Sequence, residues 1–442
     1  MTVRARVVHG RRLVALLAAA LAVAGTTGVA GGAAAAPATV QVSVDTGGGD
    51  PDGGSHYPSI SPNGRHVSFQ SSASDLVPDD GNRHYDVFAR DLVTGTTRRV
   101  SVDLAGGDAD GPSVLSSMSW SGRYVAFESD ASDLVAGDGN GLEDVFVRDM
   151  VAGVTTRVTV DLAGGDADGD SYYPSISADG RYVAFESEAT DLVAGDDNGL
   201  EDVFVRDLAT GTTVRASVDA AGDDADGESE WPRLSADGRL VAFHSEAGDL
   251  VPGDDNDLLD VYVRDLVAGT TTRVSVDGTG GDPNGLSYQP SISADGRHVA
   301  FGSAATDLVA GGDDGLHEDV FVRDLVAGVT TRVSVDVAGG DPDQTSRNPS
   351  TSGDGRYVAF YSEASDLVAG DGNGVYDVFV RDVAAGTTTR VSVDRFGGDP
   401  SGLSSRASIS EDGRRVAFRS LAWDLVPGGP DHRSDVFVRI LG

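Results

Sequence analysis

One pattern of oxygen-bearing residues returns along the chain, Asp-x-Asn-x-x-x-Asp. It falls at Asp80, Asn82 and Asp86; Asp138, Asn140 and Asp144; Asp196, Asn198 and Asp202; Asp254, Asn256 and Asp260; and Asp371, Asn373 and Asp377. Oxygen ligands two residues apart in a glycine-bearing loop, with another carboxylate four residues on, suit a hard cation such as calcium. Calcium is therefore the one cofactor that the pattern suggests. The same residues also serve as turn formers, because Asn and Asp side chains bond nearby backbone N–H groups. Two further copies depart from the pattern: Gly315 stands at the Asn position and Gly429 at the first Asp position. The acid at loop position five and the glycine at position six that an EF-hand requires are missing.

A second recurring group is Asp-x-Asp-Gly, as at 108 to 111 and 166 to 169, followed in every copy by a serine: Ser55, Ser113, Ser171, Ser229, Ser287, Ser346 and Ser404. Seven equivalent serines without a histidine in step read as turn anchors rather than nucleophiles. Just beyond them the copies diverge, and the aromatic members of that variable set, Tyr57, Tyr172, Tyr173, Trp231 and Tyr288, are the expected lining of any ligand pocket. Arg233 joins them as a charge aimed at the same place. The histidines after residue 37 are His56, His66, His84, His244, His298, His317 and His432, and none shows metal-ligand spacing. Glu128 and Glu186 hold equivalent positions in different copies, so spacing alone does not make them an acid–base pair.

These residues belong to a unit that occurs seven times. The glycines of the "DGR" turn, Gly64, Gly122, Gly180, Gly238, Gly296, Gly355 and Gly413, recur with a period of about 58. Each unit reads as four short strands, seen in PSIS, RYVAFES, DVFVRDL and TTRVSVD, rich in Val, Phe and Thr and bounded by Gly, Asp and Asn. Four antiparallel strands per unit make a propeller blade. The last unit ends without its fourth strand, while TVQVSVD at 39 to 45 stands alone before the first. The chain is thus expected to form a seven-bladed all-β propeller over 37 to 442, its last blade closed by the N-terminal strand, which removes an exposed sheet edge. Serines such as Ser175 and Ser177 suit a crowded innermost strand. The recurring Phe of the second and third strands is expected in the core.

The order SADGRYVAFES, DVFVRDL, TTRVSVD resembles the TolB-type, WD-repeat-like β-propeller family of bacterial envelope and secreted proteins, over essentially all of 38 to 442. The resemblance implies the propeller fold and a tendency to bind partners, without implying TolB's own partners. The chain departs from TolB in starting directly at the propeller and in its longer acidic loop before "DVF".

Composition narrows the function. The 442 residues carry a formal charge of −37, every one of the 33 basic residues is arginine, and there is no cysteine. Such a chain repels nucleic acid and anionic membranes. Residues 1 to 36, with Arg4, Arg6, Arg11 and Arg12 before LVALLAAALAVAG and a small-residue tract, read as an export signal too short for a membrane span. Most acids fall in the two loop sets on one face, while the "DGR", "VRD" and "TTR" arginines are expected on the other. The reading is a secreted, monomeric, non-catalytic binding or scaffold propeller whose acidic face meets a protein, a glycan or a cation. The alternatives are a polysaccharide-active hydrolase or lyase and a purely structural envelope protein.

Overall fold

A computed structural model describes residues 37–310, 315–429 and 433–442. The expected export signal at 1 to 36 lies outside the described residues, as does His432. Among the described residues twenty-eight strands, β1 to β28, form seven four-stranded sheets. Blade one is β2 (Ser55–Ile60), β3 (His66–Ser71), β4 (Asp86–Asp91) and β5 (Thr96–Arg99), in that order from the inside outward. Blades two to six repeat it. In blade seven β1 (Ala38–Gln41) pairs antiparallel with β28 (Asp435–Ile440), from Ala38 opposite Ile440 to Gln41 opposite Phe437. The seven-bladed ring closed by its first strand is therefore as expected. The outer strand is shorter than its sequence suggests. It stops at Arg99 because the chain then turns inward to bury Val100 and Ser101.

The core lies between blades, in seven apolar clusters each drawn from two neighbours. In every blade the second-strand Phe stacks on the third-strand aromatic, as Phe69 on Phe88 and Phe185 on Phe204, with ring centroids 5.9 and 5.8 Å apart. Such rings are fully buried and each contributes about 1.5–3 kcal/mol. The "DGR" glycine has a packing reason as well as a conformational one. Gly180 has φ +78°, and a Cβ there would lie 2.1 Å from the Tyr124 ring of the preceding blade.

Two backbone features shape the central channel. At one end the turn residues hand hydrogen bonds around the ring: Trp120 N–H to Ala178 O, Ala178 to Ala236, Ala236 to Ala294, Asp295 to Gly353, Gly353 to Glu411, and Glu411 to Pro62. Proline has no N–H, so Asn63 supplies the closing bond to Trp120 O at 3.4 Å. At the other end every innermost strand carries a bulge, such as the register shift between His56 and Ser59. Between the two ends, inner-strand serines tie neighbouring blades together; Ser175 Oγ, for example, accepts from Leu234 N at 3.0 Å.

Candidate functional site

The repeated acidic loops are built around an internal cation. In blade one Arg99, the last residue of the outer strand, places Nη1 2.6 Å from Asp108, 3.3 Å from Asp80 and 3.7 Å from Asp86. Arg157, Arg215, Arg273 and Arg390 repeat the arrangement, and Arg332 pairs with Asp319 and Asp341. The carboxylate of Asp86 also accepts from Ser101 Oγ at 2.6 Å and from Asn82 Nδ2 at 2.9 Å. Asn82 Oδ1 accepts instead from the His84 N–H, closing an Asx turn. The oxygens of Asp80, Asn82 and Asp86 thus do not converge on one point, and a guanidinium lies between the two carboxylates. As arranged, this set does not form a calcium shell, and the sets at Asp138, Asp196, Asp254 and Asp371 follow it. Burial, the leading cause, pushes Asp80 and Asp196 up to about 6 despite the nearby arginine.

This geometry corrects the expected charge separation. The "TTR" arginines lie beneath the acidic loops rather than on the opposite face. There the "DGR" arginine is paired too, as Arg65 with Asp91 at 2.7 Å. The seven serines are anchors as expected: Ser55 Oγ donates to Ser71 Oγ, which bonds Gly54 O and Ala73 N.

The asymmetric site is the channel mouth on the acidic-loop side. There the bulges put seven non-glycine residues at positive φ: Tyr57, Leu115, Tyr173, Trp231, Gln289, Asn348 and Arg406, between +34° and +59°. Each such residue costs roughly 1–2 kcal/mol, and strain of this kind gathers at ligand sites. In four copies the preceding blade holds the bulge: Leu115 N–H donates to Gln70, Tyr173 to Glu128 at 2.9 Å, Trp231 to Glu186 at 2.7 Å and Gln289 to His244 Nδ1. In the other three the equivalent positions are Gly302, Tyr361 and Arg419.

A cavity of about 300 Å³ follows, lined by Tyr57, Tyr173, Trp231, Arg233 and Arg406 among others. Tyr173 and Trp231 face each other with centroids 4.2 Å apart. The Arg233 guanidinium lies 5.5 Å from the Trp231 ring centroid, and that of Arg406 lies 4.8 Å from the Tyr57 ring centroid. Glu128 and Glu186 are 4 % and 3 % exposed, and burial pushes both up to about 8. Burial also pulls Arg233 down to about 10. Of the six expected pocket residues, Tyr57, Tyr173, Trp231 and Arg233 meet in the cavity. Tyr172 and Tyr288 do not line it, because they precede the bulge and project from the other side of the strand. Tyr172 is close to Asp170 and Glu143, and Tyr288 to Glu318. Elsewhere Glu201, Glu228 and Glu230 bring carboxylate oxygens within 4.8 Å of one another. The sequence places Arg406 in the same variable ring, though not among the leading pocket residues, and does not reveal the inward role of Glu128 and Glu186; the signal available was that the copies differ at these positions while matching elsewhere.

The chain matches no protein-family model, and no curated protein matches it. Among solved structures it is similar to an oligogalacturonate lyase in complex with manganese, with 14% identity over 92% of this chain and 96% of that one and a TM-score of 0.54. It shares the propeller fold. The oligogalacturonate lyase of Vibrio parahaemolyticus gives 11% identity over 93% and 99%, with a TM-score of 0.52. TolB from Acinetobacter baumannii is also among its neighbours, at 17% identity and a TM-score of 0.40, where 78% of this chain spans 65% of that one. Identities this low establish the architecture alone.

Proposed function

We propose that this chain is a secreted, non-catalytic binding propeller that takes a segment of a saccharide into its channel mouth. The observation that supports the reading most is the close Tyr173–Trp231 pair beside Arg233 in a cavity of about 300 Å³. The apolar C–H face of a sugar ring packs on aromatic rings while its hydroxyls bond polar groups at the rim. In this reading arginine, and not calcium, is the cation of the acidic loops. The test is equilibrium binding of the purified protein to a glycan array, repeated with Trp231→Ala and Tyr173→Ala. A loss of at least about tenfold in both variants is expected, since an aromatic anchor is commonly worth more than 1 kcal/mol; unchanged binding would remove the site.

One observation favours a second reading, a polysaccharide-active enzyme. Glu128 and Glu186 lie beside the cavity with acidities suited to proton transfer. Each, however, spends an oxygen on a backbone N–H, as a positioning group would. Appearance of new reducing ends or unsaturated products from a panel of polysaccharides would establish the enzyme.

A further inference from the structure

We infer that the saccharide is acidic, carrying a carboxylate that Arg406 and Arg233 receive at the channel mouth; this rests on the saccharide reading above. The ground is an imbalance of charge. The outer-strand arginines are caged by carboxylates, and the "DGR" arginines of blades one to six are paired with aspartates at 2.6–2.7 Å. Other arginines without an ion pair are taken up elsewhere, the third-strand ones on threonine hydroxyls, as Arg90 on Thr97 and Arg148 on Thr155. Among the described residues, Arg233 and Arg406 have no carboxylate partner and line the same cavity. They do so in a chain whose formal charge is −37.

What surrounds them does not neutralise them. Arg233 Nη1 donates to the Pro232 carbonyl at 2.9 Å, and Arg419 Nε to Ser434 Oγ at 2.7 Å, both uncharged acceptors. Arg406 stacks on Tyr57. Arg233 and Arg406 repel each other across the opening, and Arg419 feels Arg406 as well. Glu186, the acid that Arg233 feels most, is buried and engaged with Trp231 N–H. An arriving carboxylate would gain charge-assisted hydrogen bonds from planar guanidiniums and relieve their mutual repulsion. The sugar ring that carries it would rest on Tyr173 and Trp231. Arg233 stands where the other inner strands have mostly serine, so a cation has been placed at a position whose packing calls for a small hydroxyl.

The experiment uses the mature protein and calorimetry, with hexuronate di- and trisaccharides as probes and their carboxyl methyl esters as uncharged controls of the same shape. The free acid is expected to bind at least about tenfold tighter than its ester. Arg406→Gln should abolish that preference, read as the ratio of acid to ester affinity within the same variant. Arg233→Gln provides a second reading of the same effect. Equal binding of acid and ester would overturn the inference and leave the saccharide site standing. Binding of neither would overturn both. Tight binding of the acid that neither arginine variant alters would place it elsewhere and overturn the inference.

Discussion

At the scale of the residue, the internal cation of each blade makes a sharp expectation. The Arg215 side chain is 6% exposed, with Asp196, Asp202 and Asp224 around it. Removing one partner of a buried ion cluster strands the others, so Arg215→Met should cost about 3–5 kcal/mol, read as a lower urea midpoint. Blade seven shows how the cluster can be given up without that penalty. Gln41 stands where the other blades have arginine, and Gly429 where they have the first aspartate. Gln41 then bonds Asp50 and Asp435 through its amide at 3.3 and 3.4 Å. Copying this pair into blade three, as Arg215→Gln with Asp196→Gly, should destabilise less than Arg215→Gln alone. If the single and double variants melt alike, the cage is not acting as a charge unit. The loop pattern was legible in the sequence as a carboxylate cluster. Its cation was not, because Arg215 comes from a strand end thirteen residues past Asp202, and only strand pairing brings the two together.

At the scale of the element, two pieces close what the repeats leave open. β1 supplies the outer edge of blade seven and buries Val42 against Val67 and Phe69 of blade one. A chain beginning at residue 44 should therefore expose the β28 edge and melt at a clearly lower temperature, with association visible in size-exclusion chromatography. An unchanged melt would mean that the clasp is dispensable. The "DGR" turn makes the second expectation. Gly180→Ala meets both a left-handed φ and the Tyr124 ring, and should cost about 1–3 kcal/mol in chemical denaturation. Strand number, order and the Asp-Gly turns could be read from alternation and punctuation. The bulge in the innermost strand could not. A proline after Tyr57, Tyr173, Trp231, Gln289 and Asn348 marks the place, but the left-handed backbone arises because seven inner strands must bend away from a crowded axis.

At the scale of the whole molecule, charge and pH decide the outcome. Burial raises Glu128 and Glu186 to about 8, Glu143 to about 7, and Asp80, Asp144, Asp196, Asp260 and Asp377 to about 6. Around Glu128 stand Glu143, Glu186 and Asp130; around Glu186 stand Glu201, Glu230 and Arg233. Between roughly pH 4 and 8 the folded chain therefore holds more protons than the unfolded one, and stability rises as pH falls through that window. Below about pH 4 the sign reverses, because Asp91, Asp149 and Asp207 are held under the ordinary carboxylate range by Arg65, Arg123 and Arg181. A melting temperature that peaks near pH 4 is expected; one that rises steadily towards pH 8 would contradict the burial of these acids. Calcium should raise the midpoint no more than magnesium at equal ionic strength, through screening alone, and a calcium-specific shift would restore the metal reading. The sequence by itself determined the seven units, their four strands, the closing first strand and the aromatic core, because each is written in local periodicity repeated seven times. Only the tertiary structure decided where charge is cancelled and where it is left over. Arg99 is brought under its own blade's acids by strand pairing, and Arg233 and Arg406 to one opening by ring closure, and no spacing along a chain encodes a distance across a wheel.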